Sequence, residues 1–301
     1  MNQKRIEQQG LLAGIIVNLA MGGAGLWVYQ LTKIQALFVD AYFTIIALAS
    51  GIAAIFISKI SPKKTKHFPQ GLFLLEPLYA IVKSLLSIFL LCASLLTVSK
   101  KAFLYFAYGQ GEKMNIGPVI PYEIIMVILC LGLSWYYYRQ NQKMNGASTL
   151  LQAETKGTMI DGIMSAGIGL TALIVFFIKE DSIWSFLLYT GDFFITSILA
   201  SLTIKTPFRV LKEAFIELSG GKLTDAPIQE TIKKRIENHL EASLVLEACT
   251  IYKVGMLFKV CAKVKSKTQM VDTKDLLKKK EAIQKELSAH YEFLQLEFIW
   301  N

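Results

Sequence analysis

The stretch LLQAETKGTMIDGIMSAGIGLTALIVFFI, residues 150–178, decides the fold. From 159 to 178 its only charge is Asp161. A run this long and this apolar matches a membrane-spanning helix, which needs about 20 residues. An acid at the centre of such a span costs on the order of 2.5–3.5 kcal/mol on insertion scales. Such groups therefore face a bundle interior or a water-filled cavity. The plainer reading is a helix-end acid that snorkels to the headgroups. It loses ground because a second acid, Asp40, stands alone in the same way within FVDAYFTIIALASGIAAIFI, residues 38–57.

Composition agrees with a membrane protein. Hydrophobic residues make up 53% of the 301, and the mean hydropathy is +0.43, too apolar for an ordinary soluble domain. The net charge of +9 would suggest nucleic acid in a soluble protein. Here the basic residues flank apolar runs, so membrane orientation accounts for many of them and a nucleic-acid role is a poor fit. Cys92, Cys130, Cys249 and Cys261 form no CxxC pair, which argues against a disulfide framework or a zinc ribbon. No nucleophile–base constellation or phosphate loop appears, so the expectation is a protein that is not an enzyme and holds no cofactor.

Working outward, the pattern predicts six spans. The first covers about 10–29 and is rich in small residues (Ala20, Gly22, Gly23, Ala24, Gly25) that suit close packing in lipid. The polar segment before it reads as a lead-in to that span and not as a removed signal peptide. The second span covers about 37–57. A basic, proline-interrupted loop, SKISPKKTKHFPQG, leads to the third, about 72–98, which carries Glu76 and Lys83 on one face. An irregular connection is expected over 99–122, and the fourth span over 123–138. The fifth is the opening stretch, and Asp192 opens the sixth. Lys4, Arg5, Lys59, Lys63, Lys64, Lys66, Arg139 and Lys143 fall on one side. Lys33, Lys100, Lys101, Lys113 and Lys179 fall on the other. That bias predicts a multi-pass protein of the cell membrane with both termini cytoplasmic.

After the membrane domain, residues 1–205, the composition turns charged. Residues 206–301 are expected to form a small cytoplasmic α+β domain, ordered αββαβ and ferredoxin-like. Alternation in LFKVCAKVK marks one of its strands. Its small size favours pairing with a second copy, a homodimer.

The order and spacing of these pieces resemble the cation diffusion facilitator family of metal transporters. The resemblance rests on VDAYFT in the second span, FPQGLFLLEPL at the start of the third, AETKGTMIDGIMSAG in the fifth, Asp192 opening the sixth, and the αββαβ tail. It implies a divalent-metal site built from two i, i+4 pairs on the second and fifth spans. The matching positions here are Asp40 with Thr44, and Gly157 with Asp161. Two of the four keep an acid, Thr44 offers a neutral hydroxyl, and Gly157 offers no side chain. Glu76 matches the third-span acid of the family and Glu154 the acid before the fifth-span pair. Both are candidates for carrying protons or orienting ligands. Without imidazole the oxygen set leans toward harder cations than zinc.

The implied function is a secondary transporter exporting a divalent metal cation against inward proton flow, with protons and metal competing for one carboxylate site in the bilayer. The alternative is a membrane metal sensor or scaffold that keeps the fold and no longer moves ions; the incomplete motif favours it. In the tail, Cys249, Cys261, Glu247 and Glu297, or His239 and His290, would make a regulatory metal site. Buried strand cysteines and exposed helix-end histidines are the plainer readings.

Overall fold

The computed structural model describes residues 3–32, 35–110, 119–178, 182–223, 225–240, 244–266 and 273–300. Its helices are α1 (Gln3–Thr32), α2 (Gln35–Ile60), α3 (Leu75–Tyr108), α4 (Val119–Gln142) and α5 (Thr149–Phe177). A 3₁₀ turn (Ile183–Phe186) leads into α6 (Leu187–Thr203), and α7 (Lys205–Leu218) follows directly. Among the described residues, Gln3–Gln30, Leu75–Tyr108, Val119–Gln142 and Thr149–Ile174 are long and apolar enough to cross a membrane. Trp184–Gly191 and Thr196–Leu218, bent by 57°, make a fifth if counted as one span. The remaining expected span falls on α2, in which Ala47–Ile60 counts as a shorter apolar helix.

The bundle turns its large apolar side chains outward. Phe89, Leu96 and Phe177 are 67%, 72% and 75% exposed, while Lys4, Glu7, Glu76 and Glu154 are buried. That inversion of the soluble pattern suits a lipid surround, where apolar surface is wet by acyl chains and charges must pair inside. Small residues let the helices close up. A Cβ at Gly14 on α1 would fall on the hydroxyl of Tyr137, a buried side chain of α4. A Cβ at Gly162 on α5 would stand 2.9 Å from Cys130 Cβ on α4. Close approach of this kind is how helices associate where no hydrophobic force draws them together.

Several boundaries differ from the expectation. The helix α1 starts seven residues earlier than the apolar run, because Lys4 and Glu7 find buried partners and need no water. The third helix continues past 98 to Tyr108 through SKKAFLYFAY, half of whose residues are strong helix formers and which has no Gly or Pro. Tyr105 then stacks on Tyr189 of α6, with ring centroids 4.9 Å apart, and Gly109 ends the helix in the left-handed region at φ 66°. The fourth helix is likewise longer than 123–138 at both ends. Residues 111–118, part of the expected irregular connection, lie outside the described residues.

The tail comprises α8 (Ala226–His239), β1 (Leu244–Val254), β2 (Leu257–Ser266), α9 (Thr273–His290) and β3 (Leu294–Trp300), the expected element order. Asp225 caps α8 by accepting from the Ile228 amide at 3.2 Å. The sheet runs β1-β2-β3, with β1 and β2 antiparallel and β2 and β3 parallel. Phe258, Val260, Ala262 and Val264, every second residue of β2, are fully buried, and Ile232, Ile236, Ile283 and Leu287 of the two helices cover them. The hairpin between β1 and β2 turns at Gly255 and reaches the base of α3 and α5.

Candidate functional site

Among the described residues of the membrane domain, two groups of buried charges are held by ion pairs. The first is built on α5. Glu154, 1% exposed, lies with its Oε1 2.5 Å from Lys83 Nζ of α3. Tyr79, one turn before Lys83, donates its hydroxyl to the same carboxylate. The Tyr79 hydroxyl also lies 2.7 Å from Ser50 Oγ of α2. Helices α3 and α5 thus meet at one carboxylate, and α2 joins them through the Tyr79 hydroxyl. Removing one partner of a buried pair like this costs about 3–5 kcal/mol, because the other charge is stranded.

One turn along the same face of α5 is Gly157. A Cβ there would stand 2.9 Å from Lys83 Cε and 3.3 Å from its Nζ. The missing side chain is therefore filled space: the lysine lies against the bare backbone. Asp161, one further turn along that face, is exposed. Thr44 is buried on α2, and a Cβ at Gly22 on α1 would touch its methyl at 3.7 Å. Asp40 and Asp192 fall on α2 and α6, and their side chains lie outside the described residues. Helices α2 and α5 are in contact.

The second group lies about two turns, roughly 10 Å, nearer the start of α3. Lys4 Nζ lies 2.6 Å from Glu7 Oε2 and 2.6 Å from Glu76 Oε1. Glu7 also accepts from Ser58 of α2 and, at 2.5 Å, from Ser148 just before α5. Glu76 and Lys83, which share a face of α3, thus pair with different helices. The tail seals this level. A Cβ at Gly255 would stand 2.7 Å from the Phe73 carbonyl and 2.8 Å from Glu76 Oε2. Glu217 at the end of α7 clamps the hairpin: its Oε2 accepts from the Gly255 amide at 3.2 Å and its Oε1 from Lys253 Nζ at 3.0 Å. Lys253, 3% exposed, also donates to Thr149 Oγ1 of α5 at 3.0 Å.

Of the tail candidates, Cys261 and Glu297 are register partners on β2 and β3, but the set does not close into one site. Glu247 pairs with Lys263 at 2.9 Å, and Glu297 with Lys259 at 3.2 Å, across the strands. Burial pushes the Cys249 thiol up to about 11 and raises that of Cys261, which disfavours the thiolate a metal needs. His239 sits 3.0 Å from Glu286, and the His290 carbonyl accepts from Gln3 Nε2 at 2.7 Å and from Asn145 Nδ2 at 3.0 Å. No group of three His, Cys, Asp or Glu side chains able to hold a metal occurs among the described residues.

Sequence reading missed Lys4, Glu7 and Glu217, and gave Lys83 no partner. The usable signal was present in one case: a lysine inside a span demands a carboxylate, and Glu154 is the acid on the facing helix.

An apolar bundle with lipid-facing side chains and charges paired inside defines a multi-pass membrane protein. A family model described as cation efflux transmembrane domain matches residues 11–219, more than half of the chain. The chain belongs to that family, whose members transport metal cations. A comparison with curated proteins gives no match.

Proposed function

We propose that this protein is a secondary transporter that exports a divalent metal cation in exchange for protons, through a carboxylate site between the second and fifth of six spans. What carries the reading is the acid-bearing face of α5 in a chain of the cation efflux family. Glu154 and Asp161 share that face by spacing, in a helix that is otherwise uncharged from 159 onward. Asp40, Thr44 and Asp161 are the ligands. Glu76 and Glu154, each held by a lysine, carry protons or orient the ligands. Residues 206–301 form the cytoplasmic domain, both termini are cytoplasmic, and two copies pair.

The chemistry follows from competition. A carboxylate binds metal only when ionised, so protons and metal exclude each other at one site. Each partner then favours a different facing of the bundle. The test is uptake of manganese, iron(II), magnesium and zinc into reconstituted vesicles, with and without a pH gradient. Asp161→Asn and Asp40→Asn should each abolish flux while membrane insertion persists, and Thr44→Ala should shift ion preference. Parent-rate flux in both Asn variants would sink the site assignment. One observation favours the sensor-or-scaffold reading: Lys83 fills the α5 face at Gly157, where the family motif would hold a ligand. Absence of flux for every ion in the folded parent would decide for it.

A further inference from the structure

We propose that Lys83 is a tethered competitor of the transported cation, so that a divalent ion gains Glu154 as a ligand only by displacing the lysine. The inference rests on the reading that the α5 face at Asp161 binds the ion, and it adds a residue that sets how tightly.

Three observations carry it. The ammonium is 2.5 Å from Glu154 Oε1, in a pair whose two side chains are 13% and 1% exposed. Its stem runs along Gly157, where any Cβ would crowd Cε at 2.9 Å. Those two positions lie one and two turns before Asp161 on the same helix face. The lysine thus holds a positive charge on the face that a metal ion must approach. Its stem is long and flexible and its ammonium is a compact point charge, so it can withdraw as a unit. The Tyr79 hydroxyl donates to Glu154 as well and is itself anchored to Ser50. The carboxylate is therefore fixed when the lysine leaves, and is presented as a ready oxygen ligand.

The energetic consequence is a reduced apparent affinity. A site competent in only a fraction of molecules binds more weakly in proportion to that fraction. Removing the competitor lifts the reduction.

The experiment measures equilibrium binding of manganese to the full chain in detergent, with radioactive metal, and needs no flux. Asp161→Asn is the control, and it should abolish binding. Lys83→Met should bind about tenfold more tightly, as expected if the competent state is about a tenth populated in the parent. Glu154→Gln added to Lys83→Met should remove the gain, because the released ligand is then absent. Gly157→Ala keeps both charges, crowds only the far end of the lysine, and should tighten binding about threefold by the same population argument. It decides the matter alone if Lys83→Met does not fold. Unchanged or weaker binding in the folded variants overturns the proposal, and so does a gain that survives Glu154→Gln. Loss of the proposal is distinct from loss of the site. If Asp161→Asn binds manganese as the parent does, the ion does not use this face of α5, and both readings fall together.

Discussion

Replacing Gly255 by alanine should dislodge the tail from the membrane domain. Gly255 adopts φ 59°, and forcing an L side chain into that region costs about 1–2 kcal/mol. The new Cβ would also meet the Phe73 carbonyl at 2.7 Å and Glu76 Oε2 at 2.8 Å. The first is backbone just before α3, and the second belongs to a buried carboxylate that Lys4 holds through its other oxygen, so neither yields freely. Overpacking of this kind adds about 1–3 kcal/mol. The sum, about 2–5 kcal/mol, falls on one docking contact, so it should appear as local opening and not as global unfolding. At about 1.4 kcal/mol per tenfold, amide exchange in the peptide covering 250–258 should accelerate by roughly 30-fold to a few thousand-fold. Gly220→Ala is the control. It has a similar positive φ, 71°, but nothing lies within 4 Å of its Cβ. It carries the φ cost without the clash, so exchange in 250–258 should rise less than in Gly255→Ala. If Gly255→Ala exchanges there within about threefold of the parent, below what even the smallest cost above produces, the hairpin is not seated against α3 and the reasoning fails.

Lys4→Met should destabilise the bundle by about 3–5 kcal/mol, because it leaves Glu7 and Glu76 buried without their shared cation. A thermal-aggregation midpoint should fall, and adding Glu7→Gln and Glu76→Gln should restore part of it. Cys249 should alkylate roughly a hundredfold more slowly at pH 8 than an unfolded-chain thiol, because its thiol ionises only near pH 11. Its rate should rise steadily from pH 7 to pH 10 without a plateau, which iodoacetamide labelling followed by mass spectrometry would read. In a cysteine-free background, Lys66→Cys and Gln110→Cys are both at exposed positions on opposite ends of the bundle. An impermeant maleimide added to intact cells should mark only Gln110→Cys, and marking of Lys66→Cys alone would reverse the proposed orientation.

The helices of the bundle were legible because apolar runs of spanning length have few other uses, and the tail because alternation in LFKVCAKVK and the helical pattern around it are strong. What stayed hidden had a common cause. Lys4 and Glu7 precede the apolar run and look like a solvated lead-in. Their burial depends on Ser58, Ser148 and Glu76, which come from three other places in the chain. Gly157 reads in one dimension as a lost side chain. Only the packing of α3 on α5 reveals that Lys83 fills the space. The end of α3 was placed ten residues early because the glycines and prolines of 109–121 were spread back over the whole connection from 99, yet the helix runs on until Gly109 supplies the stop. The seating of the hairpin was not legible at all. Lys253, Gly255 and Glu217 look like an ordinary strand end, turn and helix end until the tertiary contacts bring them to α3 and α5.

The helix Thr196–Leu218 is hydrogen-bonded through the junction of α6 and α7, where Ile204 donates to Ala200 and accepts from Phe208. At 1.5 Å per residue it is a rod about 34 Å long. One end sits among the apolar helices, and the other ends in the Glu217 clamp on Lys253 and Gly255. A rod of that length works as a lever. A tilt of about 10° at its inner end would carry the clamp sideways by roughly 6 Å, more than the span of the hydrogen bonds that hold it. The tail therefore cannot keep its grip on Thr149 and Glu76 while that helix rocks: either the sheet travels with the lever as one arm, or the hairpin lets go.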